Sequence, residues 1–439
     1  MEISFGVLPT ILLWTTALFA VYLLMYYRFI YSVIDPLFLF VFTTSFASVL
    51  AIYVVPSTQD LIHFFGCQVA VWIGFVIAHR QTNYSFVGIG QPGRVYSFSN
   101  KSLLRWSTYL FLTVFILSNF IIGYVKGFAL LSDAPSTAKF SNFQEGFGLF
   151  RKMNWALGTF SIISLVFMYL IDGKKIDILF IAIVTFFSSL EGSKGALLQI
   201  AVSAGVVFYH PAFSDKRSIL KKFQRYMPLI LTGVMGIVFT VLLKENDGLE
   251  GAFLAFIRRL LYTSDSLIYF YTPINIAYFN DYSFSDYISR LVNPILGFLR
   301  LQPYQEALGN TLYDNLRPPD FTAESITVGP NIPFYMEGRI YFYYLGAFPY
   351  SMLVGYLYGS VRTYFFSLTR TSAFYFVFMG SFCHFAQAII IDSNLAVTQL
   401  FNLFFFTIPL FILLSFILTG KLTLRLGSLS QYRKIIQLR

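Results

Sequence analysis

Charge is what this chain has least of. Of its 439 residues only 12% are charged, about half the share in a soluble globular domain. A chain so poor in charge cannot clothe a water-facing surface, so a soluble fold is excluded. Cysteine is nearly absent. Cys67 and Cys383 both lie in apolar runs, which argues for neither a disulfide framework nor a thiolate metal site. No glycine-rich phosphate cradle opens a helix, so nucleotide-driven work is excluded as well. The stretch "MEISFGVLPTILLW" has no basic residue ahead of its apolar run and no small-residue cleavage site; it reads as a first transmembrane helix rather than a removed signal. Repeats, low-complexity linkers and composition breaks are missing too, so residues 1–439 read as one integral membrane domain.

Apolar and aromatic residues fill the space. The chain is 56% hydrophobic, with a mean hydropathy of +0.66. Its 52 Phe and 30 Tyr exceed what interfacial belts use, so many rings must face helix partners or line a cavity. At about twenty apolar residues per span, helices are expected near 6–27, 34–55, 60–78, 105–125, 153–171, 177–190, 195–209, 226–243, 340–361, 371–391 and 395–419. The fold class is an all-α polytopic membrane protein with about eleven spans, within a range of roughly ten to twelve.

Basic residues near span ends set the orientation. Arg28, then Arg80, Arg94, Lys101 and Arg105, then Lys174 and Lys175, the cluster from Lys216 to Arg225, Arg362 and Arg370, and Lys421 to Arg439 share one side if spans alternate. That side is the cytoplasm. The net charge of +10 is then topological bias and gives no reason to invoke nucleic acid. The outer face receives the N-terminus, the loop 126–152, the turn "EGSKGA", the long segment 244–339 and the turn "DSNLA" from 392. Within the long segment, "GAFLAFIRRLLYTSDSLIYFY" and "DYISRLVNPILGFL" read as interfacial helices, and "LRPPDFTAESITVGPNIPFY" as irregular loop.

Several outer-side charges need a purpose. Glu191 and Lys194 form either a polar turn or part of a mouth that attracts anions. Arg151, Lys152, Lys244, Arg258, Arg259, Arg290, Arg300, Arg317 and Arg339 add positive charge there; snorkelling suffices for Lys152, Arg290 and Arg300. Arg258 and Arg259 are successive in "FIRRLLY", so one is expected to point inward. Arg339 follows Glu337 closely and could pair with it, bind a ligand or anchor its helix. His384 reads as an interhelical hydrogen bonder or a base; with Gln387, Asp392, Gln399 and Asn402 it forms a polar stripe aimed at an outer cavity. Glu245, Asp247 and Glu250 in "ENDGLE" offer oxygens to a hard cation, but Asn-Asp-Gly is first a turn signal.

The pieces "EGSKGALLQ", "LLKENDG", "FIRRLLYTSDSLIYFY", "VGPNIPFYMEGRIYFYYLGAFPYSMLVGYLYG" and "SFCHFAQ", laid out over nearly the whole chain, resemble the Wzy-type polymerases of O-antigen and related surface polysaccharides. The resemblance implies a GT-C-like fold in a bacterial inner membrane. It also implies metal-independent, inverting transfer of a glycan from undecaprenyl pyrophosphate to the terminal sugar of a lipid-linked repeat unit, without a cofactor. The partners implied are those lipid-linked oligosaccharides and the bilayer, with a chain-length regulator and a flippase as companions. Lys194 stands where relatives often have Arg, which keeps the charge and loses the planar fork. Fixed cations beside a departing pyrophosphate stabilise the transition state, and Lys194, Arg258, Arg259 and Arg339 are the candidates. His384, Glu337 and Asp392 are the candidate bases. The O-antigen ligase shares layout and donor. A lipid-linked oligosaccharide flippase is the rival from another class, although it would call for two similar halves.

Overall fold

Inside a bilayer a peptide group finds no water, so an apolar run closes its N–H and C=O groups within itself as a helix. The computed structural model, which describes residues 7–80, 95–132, 135–143, 146–191, 196–246, 248–317 and 329–419, is accordingly almost all α. The helices are α1 Leu8–Tyr26, α2 Pro36–Val54, α3 Thr58–Arg80, α4 Lys101–Lys126, α5 Pro135–Ser141, α6 Gly148–Asp172, α7 Lys175–Leu190, α8 Ala196–Phe208 and α9 Arg217–Glu245. There follow α10 Gly248–Leu261, α11 Ser266–Phe270, α12 Pro273–Phe279, α13 Phe284–Phe298, α14 Leu308–Asp314, α15 Phe334–Ser367, α16 Ala373–Ala386, α17 Ala388–Ile391 and α18 Ser393–Thr419.

Among the described residues, seven stretches are long and apolar enough to cross a membrane: α1, α2, α3, Lys101–Leu131, α6, Ala373–Ile391 and Ser393–Leu418. The protein is therefore a polytopic, all-α membrane protein. The other expected spans are helical without meeting that standard. α7 and α8, with 16 and 13 residues, reach about 24 and 20 Å against a core of about 30 Å. α9 and α15 are long, but α9 opens on a basic run and α15 carries Glu337, Arg339 and Arg362. The expected interfacial stretches are α10 with α11, and α13. Of the expected irregular loop, residues 318–328 lie outside the described residues.

One end of the bundle is tied together by polar contacts. Ser97–Ser99 and Arg370–Ser372 pair as two short parallel strands, β1 and β2, which lead directly into α4 and α16. Arg105 reaches Asp172 at 2.6 Å and Asp177 at 3.5 Å, adding the end of α6 and the start of α7. His210, after α8, bonds the Phe365 carbonyl at 3.0 Å. This ladder end includes a correction. Arg362, expected among the loop cations, is 1% exposed against a fully buried Asp35. Its guanidinium donates to Asp35 Oδ1 at 2.7 Å, to Asp35 Oδ2 at 2.5 Å and to the Phe29 carbonyl at 2.8 Å. The reason is depth: a cation still within its helix must find a carboxylate inside the protein.

α6 is the central post, with 78% of its apolar window buried against 17% for α1. Phe160 and Phe167 meet Phe111 and Phe376 with ring centroids 5.1 and 5.0 Å apart. A second core lies along α3 and α15, which run side by side in the same direction. A Cβ on Gly74 would stand 1.9 Å from the Met352 carbonyl oxygen, and one on Gly355 1.9 Å from that of Val71. Only glycine lets two backbones approach so closely.

α15 itself breaks at Tyr343, whose φ of 58° and ψ of −168° are non-helical. The arm 334–342 folds back on the arm 344–367. Glu337 accepts from Tyr350, thirteen residues on, where a straight helix would separate them by about 20 Å. The expected span 340–361 is thus corrected: the long arm starts after the break, and the short arm is a buried half-helix. No apolar gap announces this; packing supports it, since Phe334, Tyr335, Met336, Ile340 and Tyr341 of the short arm are buried.

Gly355→Leu should abolish the monodisperse peak on size-exclusion chromatography, because the added side chain has only backbone to displace. Tyr343→Gly should raise the thermal midpoint, because its backbone region costs a non-glycine residue about 1–3 kcal/mol; a lower midpoint would mean that Tyr343 contributes more through its side chain than its backbone costs.

Candidate functional site

Because α7 and α16 start at the ladder end and α6 finishes there, their other ends meet at the opposite end. There a cavity of about 430 Å3 opens between α6, α7, α8, α16, α17 and α18. Each helix contributes polar groups at helical spacing: Arg151 and Asn154 from α6, Gln199 and Ser203 from α8, His384 and Gln387 at the end of α16, and Gln399 from α18. Glu191 in the turn after α7 and Asn331 in the chain entering α15 complete the polar lining. Phe115, Ile162, Val184 and Leu395 make the apolar wall.

The polar groups are incompletely used. Asn154 donates to Glu191 Oε1 at 3.2 Å, while its own buried Oδ1 has no partner among the described residues. The Arg151 guanidinium sits over Trp155 at 4.6 Å, with Phe143 at 5.4 Å and Phe140 at 5.7 Å. It faces the charge of Glu191. The aromatic wall holds the guanidinium at the cavity by cation–π contact. Ser203 Oγ lies 3.5 Å from both His384 ring nitrogens while donating to the Gln199 carbonyl at 2.7 Å. Contacts that long leave the imidazole with most of its bonding capacity. Asn402, one turn beyond Gln399, is buried with neither amide atom bonded among the described residues.

The structure separates the sequence candidates into four places. His384 lines the large cavity. Glu337 and Asp392 line a second cavity of about 30 Å3 with Tyr287, Arg290 and Ser393. Glu337 Oε1 accepts from Ser393 N at 3.0 Å and from its Oγ at 2.6 Å, and Asp392 accepts from Leu395 N at 2.9 Å and Ile332 N at 3.3 Å. Both carboxylates therefore satisfy the exposed N–H groups that begin α18. Arg339 is elsewhere, 3.7 Å from Asp60, so its carboxylate neighbour is Asp60 rather than Glu337.

Arg258 and Arg259 are both exposed, which corrects the expectation that one points inward. The buried face of α10 is Ala252, Ile257 and Leu261, and a wide exposed face accommodates two successive residues. That face rests on the cluster with Ile11, Phe46 and Val49, away from the cavity, so the cations do not converge in one pocket. Lys194 lies outside the described residues, between Glu191 and Ala196; so does Asp247 of "ENDGLE", and Gly248 follows with φ 75° at the turn into α10. Groups of three His, Cys, Asp or Glu placed to hold a metal are absent among the described residues.

Arg151 was counted among the outer cations but not among the candidates, and Asn154, Gln199, Ser203 and Asn331 were passed over. The signal for Arg151 and Asn154 was a polar pair at i and i+3 within "FRKMNWALG", on the face that continues through Gly158 and Ile162. Comparison with family models, curated proteins and solved structures finds no match for this chain.

Burial pushes the Glu191 carboxyl up from its ordinary 4.5 to about 7, against the pull of Asn154 and Arg151. The folded protein then keeps a proton that the unfolded chain releases, so this group's stabilising contribution is complete below about pH 4 and is lost as pH rises through 7. The thermal midpoint should fall from pH 5 to pH 8, and Glu191→Gln should flatten that fall. Superimposable profiles would mean that Glu191 does not titrate in this window.

Proposed function

We propose that the protein is a glycosyltransferase that extends a surface polysaccharide, passing a glycan from a polyprenyl diphosphate to the terminal sugar of a second lipid-linked unit. The observation that carries this reading is the cavity at the end opposite the ladder, where His384 and Arg151 face one space large enough for sugar rings and bordered by apolar helices. In this reading α7, α8, α9 and α15 complete eleven passages of a GT-C-like bundle in a bacterial inner membrane, with the C-terminus in the cytoplasm and the cavity on the periplasmic side.

The chemistry assigns each group one task. The anomeric C–O bond to the diphosphate breaks, and the acceptor oxygen forms the new bond from the opposite face. The acceptor's proton passes to His384, whose ring nitrogens have only long contacts with Ser203 and are free to take it. The diphosphate leaves with the bonding electrons, and Arg151 stabilises its charge. Gln199, Asn331, Gln387 and Gln399 supply donors and acceptors to sugar hydroxyls. Glu337 and Asp392 hold the start of α18, which positions Gln399, and they take no proton from substrate. Arg258 and Arg259 have no part in the step. The proposed transfer is metal-independent: Arg151 takes the place of a divalent ion beside the leaving diphosphate.

Purified protein given a defined lipid-diphosphate oligosaccharide should make a ladder of products that survives a chelator. His384→Ala and Arg151→Ala should each slow it about 100-fold or more at unchanged protein level. Full ladders from both variants would remove the cavity from the reaction. Movement of the lipid between leaflets without product would replace the transferase with a transporter.

A further inference from the structure

We propose that Arg339 forms a second anion site, separate from the large cavity, which holds the phosphate of a membrane lipid. Arg339 lies on the short arm of α15 near the crest at Tyr343. Its guanidinium stacks on Tyr344 with Cζ 3.9 Å from the ring centroid. Its Nε is buried without a hydrogen-bond partner among the described residues. The nearest carboxylate, Asp60, approaches Nε no closer than 3.7 Å.

Asp60 is occupied with other work. Its Oδ2 accepts from Ser57 Oγ at 2.6 Å, and its Oδ1 accepts from the Tyr344 hydroxyl at 2.6 Å. The carboxylate thus holds the tyrosine ring that holds the guanidinium, while Nε keeps no hydrogen bond among the described residues. A planar guanidinium held in place in this way binds phosphate oxygens two at a time. An unfilled donor at so closed a place calls for a ligand.

The surroundings identify the source of that phosphate. Beside the site, Leu345 is 84% exposed and Ile62 65% exposed. Side chains so apolar and so bare in a polytopic protein face lipid. Arg339 itself, with 18% of its side chain accessible, sits near helix ends, at the depth where lipid phosphates lie. The shared chemistry is a phosphate ester on an apolar tail, found both in an anionic phospholipid and in a polyprenyl phosphate. This site does not depend on the transferase reading, and binding alone tests it.

Native mass spectrometry on the full-length detergent-purified protein, with phosphatidylglycerol, a polyprenyl phosphate or inorganic phosphate as probes, gives the readout. At least one lipid should be retained by the wild type, about tenfold less by Arg339→Gln, and undiminished by Arg258→Gln, a change at an exposed cation away from both sites. The lipid retained names the source. Equal retention by Arg339→Gln and wild type would overturn the proposal, as would binding of inorganic phosphate with neither lipid. If Arg339→Gln fails to fold, Arg339→Lys decides: it keeps the charge and loses the fork, so a several-fold loss is expected and unchanged retention overturns the site.

Discussion

The ion pair between Arg362 and Asp35 is the interaction around which this fold is arranged. Two full charges sit out of contact with water, and removing either partner of such a pair costs about 3–5 kcal/mol because the other is left unpaired. Asp35 also accepts from Leu37 N at 2.9 Å and Tyr31 N at 2.8 Å, so one carboxylate caps α2, shapes the turn before it and anchors α15. Together with the ladder of β1 and β2 and the Arg105 bridges, it makes one end of the bundle stiff. The glycine seam carries that stiffness upward, since α3 and α15 touch backbone to backbone and cannot slide without a clash.

The opposite end follows a different logic. There the chain doubles back at Tyr343, dips a half-helix into the bundle and leaves polar groups unfilled. Glu337 and Asp392 are the exceptions, because the start of α18 needs acceptors and these two supply them. The orphan oxygen of Asn154, the loosely held His384 and the Nε of Arg339 are left short of partners there. In an apolar solvent every idle donor or acceptor is costly. These are the groups on which the two proposed ligand sites rest.

The helices were legible from the sequence because span length and hydropathy are local properties. The expected 34–55 and 371–391 differ from Pro36–Val54 and Ala373–Ile391 by a residue or two. Of the polar stripe, His384 and Gln387 were legible because they stand three residues apart on one helix face, and Gln399 because it opens the next span; Asp392 lines the second cavity instead. Arg258 and Arg259 were misplaced because adjacency says nothing about how wide an exposed helix face is. For Arg339 the sequence offered pairing with Glu337, a ligand or a helix anchor, whereas the carboxylate beside it, Asp60, belongs to another helix. The fold-back at Tyr343 left no mark, since neither glycine nor proline stands at the break.

By itself, the sequence determined the solvent: too little charge for water and enough apolar length for many helices, so the class followed from transfer free energy summed over local windows. Only the tertiary structure decided which charges are neutralised and which stay available. Arg362 and Arg339 lie on the same helix, and nothing local distinguishes them. One meets a carboxylate at hydrogen-bond distance and becomes structural; the other finds its nearest carboxylate already engaged. Electrostatic partnership depends on distances of a few ångströms between segments far apart in the chain, and only packing sets those distances.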